Sequence, residues 1–196
     1  MTTTFQGAAV YLPREICETT VTAEDGKIAE IGGPARGTVI DARGAILAPA
    51  LIDLHGDAFE RQMMPRPGVF FPMETTVLET DRQLAANGIA TAYHAVTLSF
   101  EPGLRSVPQG RALLQALIDL APRLTVENRV QLRWETFAFE ALELLDWAMQ
   151  WPLTPSLAFN DHLSMTMRHR DVSIQDRAFE HDPAFRLMDL DDTATL

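Results

Sequence analysis

The chain has 196 residues, of which 46% are hydrophobic and 22% charged, as in an ordinary globular protein with one core and room for a small accessory domain. Its formal net charge of −11 argues against nucleic acid as the main partner, because phosphate backbones attract basic surfaces. No apolar stretch is long enough to cross a bilayer, so we expect no membrane association. Cys17 is the single cysteine, which excludes an intrachain disulfide and a thiolate metal cage and fits a cytoplasmic protein.

The first 48 residues predict short strands joined by tight turns. Residues 5–12 are rich in apolar side chains, Glu24-Asp25-Gly26-Lys27 is a turn signal, and Gly32-Gly33-Pro34 interrupts the chain before strands resume. We expect a small β unit, residues 1–48, in which residues 5–12 pair with residues 45–47. We further expect this unit to pack on the part of the chain that follows it.

The next segment is an apolar run, residues 48–54, that ends in His55-Gly56-Asp57. A short apolar run bounded by proline and glycine is typical of a buried strand in a parallel sheet. Residues i and i+2 of a strand lie on one face, so His55 and Asp57 should point the same way. An imidazole and a carboxylate aimed at one point suit a divalent transition metal. The alternative is a strand that stops at a glycine turn with two polar residues at its mouth.

From here on, helices alternate with strands. Residues 58–72 predict a long loop that contains Arg61 and Arg66. The pattern that follows predicts helices at residues 75–87, 109–120 and 139–151, and strands at residues 89–96, 130–137 and 156–160. This alternation is the signature of βα units on a parallel sheet, and a closed barrel of this kind needs eight strands and about 250 residues. We therefore expect an α/β fold, a partial (β/α) TIM-type barrel of about four of eight strands over residues 49–164, followed by a polar tail, residues 165–196.

Side chains that can bind metals recur at the predicted strand ends. Glu135 ends the third strand, His162 follows the fourth, and His94 lies near the end of the second. If the strands are parallel, we expect His55, Asp57, Glu135 and His162 to converge on one rim. Histidine and carboxylate without cysteine favour zinc, manganese or iron(II) in a catalytic site. The alternatives are that Glu135 is a surface acid and His162 a satisfied polar residue.

Several of these motifs resemble a known family. The segment Pro49-Ala50-Leu51-Ile52-Asp53-Leu54-His55-Gly56-Asp57, after a short β unit, resembles the opening of the amidohydrolase superfamily, where His-x-His is the more usual form. Asp57 departs from that form. Together with Pro65-Arg66-Pro67-Gly68, Leu132-Arg133-Trp134-Glu135 and Asn160-Asp161-His162, it resembles the branch of phosphonate-metabolism diphosphatases. The resemblance covers about residues 5 to 165.

The resemblance implies roles for individual residues. His55, Asp57, Glu135 and His162 would be metal ligands, with zinc the first choice and manganese or iron the others. A metal-bound water would attack a phosphorylated small-molecule substrate, while Arg61 and Arg66 held its phosphates. The family adds a further histidine and a late aspartate from later strands, and neither motif has a match here.

Because those residues have no match, we expect a truncated product or a reduced relative that is completed by a homodimer or a second chain. The inward-facing side chains of the four strands, such as Leu54, Ala92 and Leu132, would then need to be covered. Two other interpretations remain open. One is an amidohydrolase or deaminase that acts on a C–N bond, and the other is a non-catalytic half-barrel that binds metal or a partner chain.

Overall fold

The computed structural model describes residues 1–100, 103–152 and 154–162. Contacts between residues divide the chain into two compact units, one comprising Met1–Ala50 and the other beginning at Leu51. The predicted polar tail, residues 165–196, lies outside the described residues. The predicted domain boundaries stay predictions.

The first unit consists of two small sheets. The strands are β1 Thr2–Gln6, β2 Ala9–Tyr11, β3 Ile16–Glu18, β4 Val21–Glu24, β5 Lys27–Ile31, β6 Thr38–Asp41 and β7 Ile46–Leu47. One sheet has the strand order β5-β4-β1-β6 and the other the order β3-β2-β7.

The apolar segment at residues 5–12 is interrupted at Gly7. This glycine has a φ of 82°, in the left-handed region that other residues rarely adopt, and it separates β1 from β2. The predicted pairing with residues 45–47 is confirmed, because Ala9 and Val10 of β2 pair in parallel with Ile46 and Leu47 of β7.

The described part of the second unit is built on a parallel sheet of four strands: β8 Leu51–Gly56, β9 Ile89–Leu98, β10 Glu127–Glu135 and β11 Ser156–Asn160. Their order across the sheet is β11-β10-β9-β8. Each neighbouring pair is parallel and adjacent in sequence order. The predicted α/β fold, a partial barrel preceded by small β sheets, is confirmed.

Four α-helices occur in the described part of this unit: α1 Ala58–Met63, α2 Met73–Ala86, α3 Val107–Leu120 and α4 Leu142–Ala148. Short 3₁₀ turns follow α3 at Ala121–Arg123 and precede α4 at Phe139–Ala141. None of the helices in the described ranges is long and apolar enough to cross a membrane.

Some predicted boundaries were wrong. The predicted loop after β8 contains α1, which is held in place because Phe59 and Met63 are buried in the core. Helix α2 begins after Pro72, two residues before the predicted start, and ends at Ala86, one residue before the predicted end. Gly88, just beyond it, takes a φ of 76°. Helix α3 begins at Val107, two residues before the predicted start, and Ser106 is its N-cap, whose hydroxyl accepts a hydrogen bond from the Gln109 backbone N–H at 3.4 Å.

The core lies between the sheet and the helices. Val96 and Leu98 of β9, together with Val130 and Leu132 of β10, are at most 2% exposed and belong to one cluster with the leucines of α3 and α4. The expectation that Ala92 and Leu132 line an open interior was therefore wrong. Both are 0% exposed, whereas Leu54 is 67% exposed. Helices of this chain already cover the apolar face of β9 and β10.

Candidate active site

The second face of the sheet, which we call the inner face, is polar along β10. Residues alternate across a strand, so Gln131, Arg133 and Glu135 point away from the face on which Val130 and Leu132 are buried. Residues of neighbouring strands that lie directly opposite share a face. Thr97 of β9 is opposite Arg133, and Asn160 of β11 is opposite Glu135. The inner face therefore carries polar side chains on three adjacent strands.

His55 lies at the level of Gln131 along this polar face. Its Nδ1 lies 2.6 Å from Oε1 of Gln131, and its backbone N–H donates to the Asp53 carboxylate at 3.0 Å. Because a carboxamide oxygen can only accept, Nδ1 is the donor in this contact. A partner of this kind fixes the ring and leaves Nε2 available to a metal, a common arrangement in metal sites.

Asp57 lies on the same face at the level of Arg133, two residues further along β10. Its Oδ1 is 3.8 Å from a guanidinium nitrogen of Arg133, an ion pair too long to be a hydrogen bond. The Arg133 side chain is 15% exposed and that of Asp57 is 47% exposed. His55 and Asp57 thus contact β10 residues two positions apart, which supports the prediction that they share a face.

Glu135 and His162 form the third pair. The Glu135 carboxylate is fully buried; one oxygen accepts the His162 backbone N–H at 2.9 Å, and the other contacts His162 Nδ1. The Glu135 carboxylate therefore connects the end of β10 to His162 through two contacts. A buried carboxylate with both oxygens hydrogen-bonded is held rigidly in one orientation.

These pairs form a row rather than a cluster. Gln131 and Glu135 are four residues apart on one strand, a rise of about 13 Å, so His55 and His162 lie at different heights. Within the described ranges, no group of three or more His, Cys, Asp or Glu side chains is placed to hold a metal ion. The expected convergence of the four predicted ligands at a common point is not seen there, and their assignment as ligands stays a prediction.

The stagger of the strand ends explains this difference. Strand β8 ends at Gly56, opposite His94 in the middle of β9, while β9 continues to Leu98. Parallel strands share a direction, but they need not end at the same height, and the pairing shifts irregularly between Asp53 and Gly56.

The kinds of side chain fit a divalent metal, but their number at any one point does not complete a site. Imidazole and carboxylate are suitable ligands for zinc, manganese or iron(II), and a catalytic zinc takes three protein ligands. In the described part of the chain, Glu135 and His162 are the predicted ligands that adjoin each other. Two buried polar atoms without a hydrogen-bond partner, Thr97 Oγ1 and Asn160 Nδ2, belong to residues of the inner face. Buried polar groups of folded proteins are nearly always hydrogen-bonded, so these two atoms need an explanation.

His94 was wrongly grouped with the strand-end residues. It is 3% exposed and lies opposite Val130, a residue of the helix face, and its ring meets the Phe59 ring edge-on. Its Nε2 lies 2.7 Å from Asn128 Oδ1, and the Asn128 amide donates to Asp81 at 3.0 Å. Burial lowers the pKa of His94, so this side chain is a neutral part of the core.

Arg61 and Arg66 are exposed near the start of the helical layer. Arg61 belongs to α1. The backbone of Arg66 forms an isolated antiparallel β-bridge with that of Val69 in the turn that follows. The neighbouring Glu60 makes a bidentate ion pair with Arg105, whose guanidinium nitrogens donate to the two carboxylate oxygens at 3.0 and 3.1 Å. Binding of phosphate by Arg61 and Arg66 stays a prediction.

Gln131, Arg133 and Thr97 were not singled out from the sequence as binding residues. The alternation Val130-Gln131-Leu132-Arg133-Trp134-Glu135 contains the signal, because every second residue of a strand with one apolar face is polar.

No family model matches the chain. A comparison with curated proteins finds 27% identity over 126 residues with the alpha-D-ribose 1-methylphosphonate 5-triphosphate diphosphatase of Escherichia coli K12. The chain resembles a diphosphatase of the amidohydrolase superfamily. The match covers 63% of this chain and 33% of the diphosphatase, so the chain spans about a third of that relative's length.

Solved structures show a looser likeness. A D-hydantoinase is 19% identical, with a TM-score of 0.48, over 80% of this chain and 35% of its own. A D-hydantoinase from Bacillus sp. AR9 is 15% identical, with a TM-score of 0.46, over 92% of this chain and 46% of its own. A dihydropyrimidinase from Brevibacillus agri is 14% identical, with a TM-score of 0.44 and the same coverages, 92% and 46%. Similarity at this level says nothing about activity.

Proposed function

We propose that this chain carries part of the active site of a metal-dependent hydrolase of the amidohydrolase superfamily that cleaves a phosphoric anhydride bond. The substrate would be a phosphorylated small molecule, as for the diphosphatase that the chain resembles, with diphosphate as the product. The row of paired side chains along β10, which includes His55, Asp57, Glu135 and His162, is the observation that carries the proposal.

In this proposal each pair has a task. His55 and Asp57 at one height, and Glu135 and His162 at another, would each supply ligands to a divalent metal, with zinc in the first place and manganese or iron as alternatives. Neither pair completes a site by itself, so further ligands would have to come from outside the described residues. When bound, such a metal supplies a water molecule of lowered pKa for attack on phosphorus. Gln131 keeps the His55 ring oriented, and the buried Glu135 carboxylate fixes the position of His162.

Arg61 of α1 and Arg66 of the turn that follows would hold the substrate phosphates. Arginine is suited to this because its planar guanidinium pairs with two phosphate oxygens at once. We assign no residue of this chain as the general base. We propose a cytoplasmic location, on the ground of the single cysteine, Cys17.

A homodimer or a second chain would complete the barrel. Strands β8 and β11 are the two edges of the described parallel sheet, and edges of this kind pair readily with another chain. Leu51 and Ile52 of β8 are each 61% exposed, and Phe159 of β11 is 68% exposed. Sedimentation of the purified chain at moderate salt tests this, and a well-behaved monomer would contradict it.

The function is tested with the purified 196-residue chain by two measurements. Metal content per chain, after loading with zinc and removal of the excess, should fall when His55 or His162 is changed to alanine. It should stay unchanged in Gln115→Ala, a matched control on the exposed side of α3. Release of diphosphate from the ribose triphosphate substrate should exceed release of ammonia from a deaminase substrate with an exocyclic amine, such as an aminopyrimidine. A chain that binds no metal and releases no diphosphate would overturn the proposal, and ammonia release alone would favour the C–N hydrolase instead.

A further inference from the structure

We propose that Arg133 and Thr97 form an anion subsite on the inner face that takes a phosphoryl group. This inference deepens the proposed function and rests on it for the nature of the substrate. The subsite is separate from Arg61 and Arg66, because Thr97 lies on β9 and Arg133 on β10.

The first argument is the state of the Arg133 guanidinium. The side chain is only 15% exposed, yet within the described residues its one ionic partner is Asp57, at 3.8 Å. A guanidinium has five N–H donors in a fixed fork, and a largely buried cation without hydrogen bonds is costly. None of its nitrogens is among the sealed polar atoms that lack a partner, so its donors remain open to a ligand or to water.

The second argument is independent of the first and concerns Thr97. This residue is 4% exposed, and its hydroxyl oxygen is buried without a hydrogen-bond partner. Thr97 is the direct register partner of Arg133, so the two side chains stand next to each other on the same face. Neighbouring strands are about 4.8 Å apart, so a group bound to Arg133 would lie next to Thr97.

The chemistry of the unsatisfied groups decides which ligand fits. The guanidinium and the Asn160 amide nitrogen can only donate, and the Thr97 hydroxyl can donate as well. Donors that have no hydrogen-bond acceptor among the described residues suit an anion. Asn160 lies opposite Glu135, about 7 Å further along the strand than Arg133. A single carboxylate can bind either at the position of Arg133 or at that of Asn160. Diphosphate is long enough, and has enough oxygens, to reach both positions.

Two carboxylates face the same region and set a limit on affinity. Asp57 competes for the Arg133 guanidinium, while Glu135 is occupied by His162. Because Asp57 is 47% exposed and its ion pair is long, an incoming phosphoryl group can replace it at Arg133.

The test is isothermal titration calorimetry of the full chain with inorganic diphosphate, in metal-free buffer at fixed ionic strength, with acetate as the comparison anion. We expect diphosphate to bind more tightly than acetate, and Arg133→Gln to weaken diphosphate binding by about tenfold to a hundredfold. Thr97→Val keeps the shape and removes the hydroxyl, so it should weaken binding by about threefold to tenfold. Arg133→Lys should recover only part of the loss, because lysine lacks the planar fork.

Arg129→Gln is the matched control. Arg129 lies on the same strand and the same face, four residues away, where it pairs with Glu127 and Tyr93. This variant should keep the diphosphate affinity of the original chain. Asp57→Asn should bind diphosphate more tightly, because a competing carboxylate is removed.

The outcomes separate the subsite from the function. Wild-type affinity in Arg133→Gln and Thr97→Val, or equal binding of diphosphate and acetate, would overturn the subsite, even if the chain hydrolyses its proposed substrate. Loss of diphosphate binding in these variants, in a chain that binds no metal and releases no diphosphate from the ribose triphosphate substrate, would leave the subsite standing and overturn the proposed function.

Discussion

The two faces of strand β10 are built from alternate residues of one short segment, and they serve different purposes. On the helix face, Val130 and Leu132 are fully buried among the leucines of α3 and α4. On the inner face, Gln131, Arg133 and Glu135 contact side chains of other strand ends. The comparison teaches that stability and binding are encoded at neighbouring positions that do not overlap. Substitutions on the helix face should therefore reduce stability, and those on the inner face should reduce binding.

The largest effect is expected for Leu132→Ala. The side chain is 0% exposed, and its removal leaves a cavity in the core, which costs about 2–5 kcal/mol of unfolding free energy. Unfolding in urea measures the change. The adjacent Gln131→Ala is the control on the other face and should cost less than about 1.5 kcal/mol, since it removes one hydrogen bond at an accessible site. Equal losses in the two variants would contradict the division between the faces.

A polar network next to the core gives the second effect. Asp81 is 4% exposed and accepts hydrogen bonds from the Thr125 and Val126 backbone N–H groups, each at 2.9 Å, and from the Asn128 amide at 3.0 Å. Asp81→Asn turns an amide group toward one of these donors, so we expect a loss of about 1–3 kcal/mol in urea unfolding. Glu79→Gln, on the same helix but exposed, should change stability by less than about 0.5 kcal/mol.

The buried His94 should make stability depend on pH. Burial lowers its pKa in the folded chain below the ordinary value of 6.5, against the smaller effects of Asn128, Asp53 and Asp81. The unfolded chain therefore binds more protons below about pH 6.5, and stability should fall as the pH falls through that value. We expect His94→Gln to lose this part of the pH dependence when unfolding is measured on both sides of pH 6.5. The same slope in both proteins would show that another group is responsible.

The smallest change in stability is expected for His55→Ala. The residue is exposed, so its removal should alter the unfolding free energy by less than about 0.5 kcal/mol. Its effect should instead appear as reduced zinc content per chain. A large loss of stability with unchanged zinc content would place His55 among the structural residues.

Much of the fold could be predicted from the sequence. The strand at Ser156–Asn160 and the alternation of strands with helices follow from short apolar runs separated by turn signals. Helix α1 was missed because its six residues lie in a segment whose nearby prolines and glycine indicate a loop. Whether Leu132 faces helices or an open interior depends on which element covers it, and periodicity does not contain that information.

The candidate site could be predicted less completely. The shared face of His55 and Asp57 follows from their spacing, and the structure supports it through Gln131 and Arg133. Their height relative to Glu135 depends on the register between β8 and β9, which is set by long-range pairing. A strand end is visible in the sequence, but the stagger between strand ends is not.

The ion pair between Glu60 and Arg105 has a consequence for how the rim moves. It joins α1, which follows β8, to the segment that follows β9, through two hydrogen bonds between largely buried side chains. Opening of either segment must break this link, so their slow fluctuations become a shared event. Backbone amides in residues 58–63 and in residues 103–106 should therefore exchange with deuterium at coupled rates. Glu60→Gln should uncouple those rates, while the buried side chains of Phe59 and Met63 keep α1 in the core.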